Sequence, residues 1–231
     1  MRLAALLAFA PALVSCSQPI RHAPDHDVVD AVHALVVAEP LEWLARGETV
    51  LAHGSAAVPA LITELRARPG AAGAQPAIAI LGALGEQRAL PLLQEILRAD
   101  GPHAYEAALA MGRTKVRAAT SELLPVLLDP RRTPLVRAAS AAALLDLGQA
   151  KEAVAFFYAL FTVDTSAAGP AVREQGLSSK PRWALERNVA IDAIRRSTGG
   201  ETFGLDADAP WPQLAAAAAK MRTHFEAGPK R

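Results

Sequence analysis

The chain has 231 residues, of which 52% are apolar and 20% charged, with 24 Lys and Arg against 23 Asp and Glu. This composition is globular rather than disordered, and a formal charge of +1 lacks the basic excess of a nucleic-acid-binding protein. Aromatic residues make up only 5% while Ala alone is roughly a fifth, so the chain reads as helical.

Met1-Arg2 is a short basic start, followed by an apolar run from Leu3 to Val14 that only Pro11 interrupts. A bilayer-spanning helix needs about 20 apolar residues, so the run is too short to cross. Residues 1–15 read instead as a signal peptide. The run closes on Leu13-Val14-Ser15-Cys16, which resembles the lipobox of bacterial lipoproteins. That resemblance implies cleavage before Cys16, a diacylglycerol on its thiol and acylation of the new N-terminus. Cys16 is the single Cys of the chain, so no internal disulfide competes for it. Several acyl chains, at about 0.8 kcal/mol per buried CH₂, hold a protein on a membrane without a spanning helix. Ser17, where an Asp would resemble an inner-membrane retention signal, favours the outer membrane of a bacterial cell envelope. Residues 16–26 are then the lipidated Cys and a tether that contains Pro19 and Pro24.

Periodicity and punctuation predict helices over 27–38, 41–53, 56–68, 75–84, 87–99, 102–112, 115–129, 133–147, 150–162, 182–197 and 210–226. An Ala-rich phrase ending in Gly recurs along them, closing at Gly85, Gly112 and Gly148, with Gly54 before and Gly199 after. Gly is expected one step past a helix, where it takes the left-handed conformation. A second helix follows each of the first of these glycines, with Pro59 or Pro91 in its first turn. Pro125 falls deeper in its segment and predicts a kink or a break. The unit is a helical hairpin of about 30 residues whose faces need neighbours to be buried, the logic of a solenoid.

This unit resembles HEAT repeats, and more closely the short bacterial HEAT-like type named from phycobilisome lyases. Leu127-Leu128-Asp129-Pro130, Val136-Arg137-Ala138-Ala139-Ser140 and Leu147-Gly148 carry the resemblance, with Ser140 where the family usually has Ala. The implied fold is an all-α solenoid of about ten to eleven helices, with the repeat array at 27–162. A Pro-, Gly- and Ser-containing loop at 163–181 interrupts it, and a final repeat and cap occupy 182–231. The Thr198-Gly199, Phe203-Gly204-Leu205-Asp206 and Trp211 ending resembles the C-terminal cap of exported HEAT-like proteins, with Phe203 and Trp211 expected to plug the stack.

Residues that carry chemistry are sparse. His26, Asp30 and His33 share a helical face at a spacing that zinc could use, but they also fit the solvated side of a helix whose Val29, Val32 and Val36 are buried. His53 and His103 stand alone near helix ends. No His precedes a Glu, and the zincin, Ser-x-x-Lys and Gly-x-Ser-x-Gly motifs are missing. Gly199-Gly200 with Gly204 lacks the Lys of a phosphate loop and reads as a turn. Arg131, Arg132, Arg137, Arg182, Arg187, Arg195 and Arg196 read as turn residues paired with neighbouring carboxylates. Phe156-Phe157-Tyr158 with Leu160 and Phe161 is the densest aromatic cluster and reads as core.

The resulting expectation is a lipid-anchored scaffold, not an enzyme, that needs no cofactor or metal. It would bind a protein or peptide rather than nucleic acid, through the exposed Glu64, Arg68, Glu95 and Arg98 of successive second helices and Arg132. The alternative from another class is a HEAT-like enzyme or enzyme maturation factor, lyase-like or metal-dependent.

Overall fold

The computed structural model describes residues 25–162 and 180–228, the side chains of residues 25, 26 and 180–183 apart. Eleven α-helices make up the described chain: α1 (Asp25–Val36), α2 (Trp43–Ala52), α3 (Ala57–Ala67), α4 (Ala74–Leu84), α5 (Leu90–Ala99) and α6 (Ala104–Arg113), then α7 (Thr120–Leu128), α8 (Pro134–Asp146), α9 (Ala150–Thr162), α10 (Lys180–Ser197) and α11 (Trp211–Glu226). Short 3₁₀ turns lead into α3, α5 and α7, and the described residues contain no strand. The predicted loop at 163–181 is shorter at its far end, because Lys180 and Pro181 already belong to α10. Cys16, residues 17–24 of the tether and residues 163–179 of the loop lie outside the described residues.

Local chemistry explains the helix limits. Thr133 caps α8 by accepting a hydrogen bond from the Val136 amide at 3.3 Å, and Pro134 fills the first helical position. Gly148 ends α8 with φ +80°, its amide bonding to Leu145 O while Gln149 N reaches Leu144 O at 2.8 Å. Gly85 closes α4 in the same left-handed region. Gly112 departs from the expected pattern. It lies inside α6, and Lys115 takes the left-handed position after the helix, with φ +57°. Pro125 does not break its segment: α7 runs through it to Leu128.

Gly112 is needed for packing, not for stopping. A Cβ there would lie 2.6 Å from the Ala143 Cα of α8, and one on Gly82 of α4 would lie 2.7 Å from the Ala110 Cα of α6. Both glycines let one helix backbone rest on the next. These contacts join α4, α6 and α8 at the middle of a first layer in which α2, α4, α6, α8 and α10 pack in sequence. Helices α1, α3, α5, α7 and α9 form the second layer, packed against the first, and α11 packs on α9. Between α3, α5 and α7 there is no comparable backbone approach, so over this stretch the array closes up on the first layer and opens on the second, whereas α1 packs on α3 and α11 on α9. This is an α-solenoid-like stack with one continuous core. Gly73 adds a tie: its amide donates to Val36 O at 3.0 Å, and a Cβ would overlap Leu35 O.

α8 is the centre of the core, with every residue from Ala138 to Leu145 buried. Ser140 is buried among them and donates its hydroxyl to Val136 O at 2.9 Å, so its polar atom is satisfied. In α9, Phe157 and Phe161 are fully buried and Leu160 nearly so, which places this cluster in the core. α8, α10 and α11 pack on α9. Phe156 lies under the Arg137 guanidinium at 5.1 Å and Tyr158 under that of Arg222 at 4.2 Å.

The end of the stack differs from expectation. Trp211 is 41% exposed, with its indole N–H donated to Thr162 O, and Phe203 is half-buried against His224. Leu205, Leu214 and Met221 supply the burial that the two aromatics were expected to give. At the other end Val32 and Val36 are buried as expected, but Val29 is half-exposed.

Candidate functional site

The binding residues expected from sequence lie on the second layer, and the structure brings them together with four partners that the sequence reading did not single out for it. His33 of α1 is 3.5 Å from Glu64 of α3, which also accepts a hydrogen bond from Arg68. Arg66 reaches Glu95 of α5 through two bonds, at 2.8 and 3.3 Å. Arg98 of α5 holds Glu122 of α7, its Nε donating at 3.0 Å. Arg132 bonds Asp100 at 2.6 Å and donates to Leu97 O at 3.1 Å. These acid–base pairs form a ladder of successive rungs from α1 to α7 that is close to neutral. The long side chains span the gaps that the second-layer backbones leave open. Burial raises the Glu64 carboxyl, but hydrogen bonds from Arg68 and His33 outweigh it and hold the group below the usual carboxylate range. The Arg98 hydrogen bond likewise holds Glu122 low.

The signal for this ladder is present in the sequence but faint. It is an acid and a base about one repeat apart: 31 residues for His33 and Glu64, 29 for Arg66 and Glu95, 24 for Arg98 and Glu122. Helical wheels of single segments do not reveal it.

Of the other arginines expected in turns, only Arg131 lies in one; Arg137 belongs to α8, and Arg182, Arg187, Arg195 and Arg196 to α10. Arg131 binds Asp129, Arg195 binds Asp192, and Arg196 binds the nearly buried Asp146 through two bonds at 3.0 and 3.4 Å. Arg137 and Arg187 donate to the carbonyls of Leu127 and Ala207 instead. The Arg182 side chain lies outside the described residues. Near Asp146, the half-buried Arg113 of α6 has no ion-pair partner among the described residues. Burial, and then the charge of Arg196, hold its guanidinium below the ordinary range. Burial and the neighbouring Glu106 push Tyr105 up to about 12.

A cleft of about 140 Å³ opens between Leu65, Ile78, Ile96 and His103, lined mainly by apolar atoms. Small-molecule sites usually occupy about 300–1,000 Å³. Glu106, three residues after His103, has a buried Oε2 without a partner, and burial raises its pKa. Of the possible zinc trio, Asp30 is exposed, His33 faces Glu64, and the His26 side chain lies outside the described residues. No group of three His, Cys, Asp or Glu side chains able to hold a metal occurs among the described residues. His53 follows α2 and His103 precedes α6, both without a side-chain capping bond. Gly199, Gly200 and Gly204 all have positive φ, as a turn requires. No described helix is long and apolar enough to cross a membrane. Comparison with protein-family models, curated proteins and solved structures finds no match for the chain.

Proposed function

We propose that this chain is a HEAT-like scaffold, held on the bacterial cell envelope by a lipid at Cys16, that binds a protein or peptide along its second layer. The observation that carries the reading is the charge ladder from His33 to Glu122. It presents ordered, mutually neutralised pairs on successive helices of that layer. Exposed ion pairs contribute little to folding, so a partner can exchange them for its own charges without unfolding the array. The sequence Leu13-Val14-Ser15-Cys16 supports the anchor.

A photo-crosslinking residue tests the face. Placed at Glu95 or Arg98 it should give a discrete adduct in intact cells, and placed at Arg195 on the first layer it should not. Equal adducts at all three positions, or none at any, would refute the assignment. Cys16→Ala should abolish fatty-acid labelling and release the protein from membranes. Unchanged labelling in that variant would overturn the anchor.

A further inference from the structure

The two ends of the stack are unlike. The outer surface of α11 is polar, with Gln213, Lys220, Arg222, Thr223, His224 and Glu226 exposed. Terminal repeats of a solenoid normally carry such a face, because no neighbour covers them. The first hairpin mixes exposed charged groups with exposed apolar ones. Leu41 is 99% exposed, Leu44 56%, Val29 and Val37 50% each, and Leu51 41%. Five of the eight large exposed hydrophobics of the described chain therefore fall between residues 29 and 51. Val37, Leu41 and Leu44 cluster around the α1–α2 turn, and Trp43 lies half-buried among them with its indole N–H on Ala38 O at 2.9 Å.

We propose that this turn is a membrane-docking edge, with Leu41 and Leu44 inserting among the lipids to which Cys16 tethers the chain. The inference rests on the anchor reading above. Eight residues separate Cys16 from Asp25. At about 3.3–3.6 Å per residue, eight residues can span at most roughly 30 Å. α1 has 12 residues, about 18 Å at 1.5 Å each. The tether therefore outreaches α1, and the turn at the far end of α1 can touch the same bilayer that holds Cys16. An amphipathic Trp beside exposed Leu is the residue pairing that the water–lipid interface favours.

Charge selects the kind of lipid. Residues 25–52 carry Asp25, Asp27, Asp30, Glu39, Glu42 and Glu48 against one Arg and no Lys, and that Arg46 is itself 3.7 Å from Glu42. His26 and His33 are the other basic side chains. This end is repelled by anionic headgroups and suits zwitterionic ones, a preference that salt weakens.

The test uses the full lipidated chain in phosphatidylcholine vesicles, with Trp183→Phe and Trp211→Phe leaving Trp43 as the only reporter. Acyl chains brominated near the headgroup should quench most of the Trp43 emission. Added phosphatidylglycerol should reduce the quenching at low salt but not at high salt. Leu41→Asp should abolish quenching while fatty-acid labelling of Cys16 persists. Because Leu41 is almost wholly exposed, this change leaves the core intact, and an unaltered unfolding midpoint verifies that. Labelled protein whose Trp43 is not quenched would overturn the docking and spare the anchor. Absence of labelling would overturn the anchor reading and the docking with it. A Leu41-dependent dimer in place of quenching would assign the edge to a second copy and overturn the membrane proposal.

Discussion

Replacing Gly112 with Ala should destabilise the protein, although Ala is the better helix former. In α6 the exchange gains about 1 kcal/mol of helix propensity. Against this, the new Cβ would lie 2.6 Å from the Ala143 Cα and 2.8 Å from its Cβ, where ordinary contact begins at 3.4 Å. The two helices must part by about 0.8 Å to admit one methyl group. Overpacking a close-packed interior costs about 1–3 kcal/mol, and a clash with backbone belongs at the upper end. The net loss is about 1–2 kcal/mol, which lowers the thermal midpoint of a chain this size by about 2–8 °C. Urea and thermal unfolding of the purified chain measure both. Gly101 provides the control, because a Cβ there meets nothing within 4 Å. Gly101→Ala should be neutral or raise stability by up to about 1 kcal/mol through the unfolded state. Adding Ala143→Gly to Gly112→Ala should not restore stability, since the Cα at 2.6 Å remains. A Gly112→Ala variant as stable as the parent would refute the close approach of α6 to α8.

Three further changes probe other parts of the fold. Phe157→Ala empties a fully buried site in α9 and should cost about 3–5 kcal/mol in urea unfolding; a loss under about 1 kcal/mol would show that the cluster is not core. Ser140→Ala removes a satisfied hydroxyl whose acceptor already serves the helix, so stability should change by less than about 0.5 kcal/mol, and a larger loss would mean the hydroxyl has another role. Burial raises the folded-state pKa of Glu106 above its ordinary 4.5, so the folded chain holds that proton more tightly and stability falls as pH rises from the unfolded value through the folded one. Glu106→Gln should remove that fall, matching the parent at about pH 3 and exceeding it at neutral pH; equal stability at both would refute the buried carboxyl.

The helices were legible because their signals are local. Apolar periodicity, Gly148 after α8 and the Thr133-Pro134 start of that helix are read within a few residues, and each predicted element meets one helix of the structure. Gly112 was read as a helix stop because a glycine at a contact and a glycine at a terminus look alike in one dimension. Only the neighbouring Ala143, 31 positions on, separates the two. The Val29 face was misjudged for a related reason. Spacing defines a stripe, but whether that stripe is covered depends on a neighbour, and a terminal helix has one fewer. The site was half legible. Glu64, Arg68, Glu95, Arg98 and Arg132 were found as exposed groups on consecutive repeats, while their coupling to His33, Arg66, Asp100 and Glu122 depends on packing across hairpins.

The unequal layers give the molecule a spine and a bellows. Where α4, α6 and α8 meet through Gly82 and Gly112, the helices already touch at the main chain and have no room to draw closer. On the opposite flank, between α3, α5 and α7, guanidinium and carboxylate arms bridge the spacing, and such arms can lengthen, turn or let go at small cost. Any bending load should therefore be taken up by widening or narrowing that flank, so the curvature of the stack follows whatever occupies those arms.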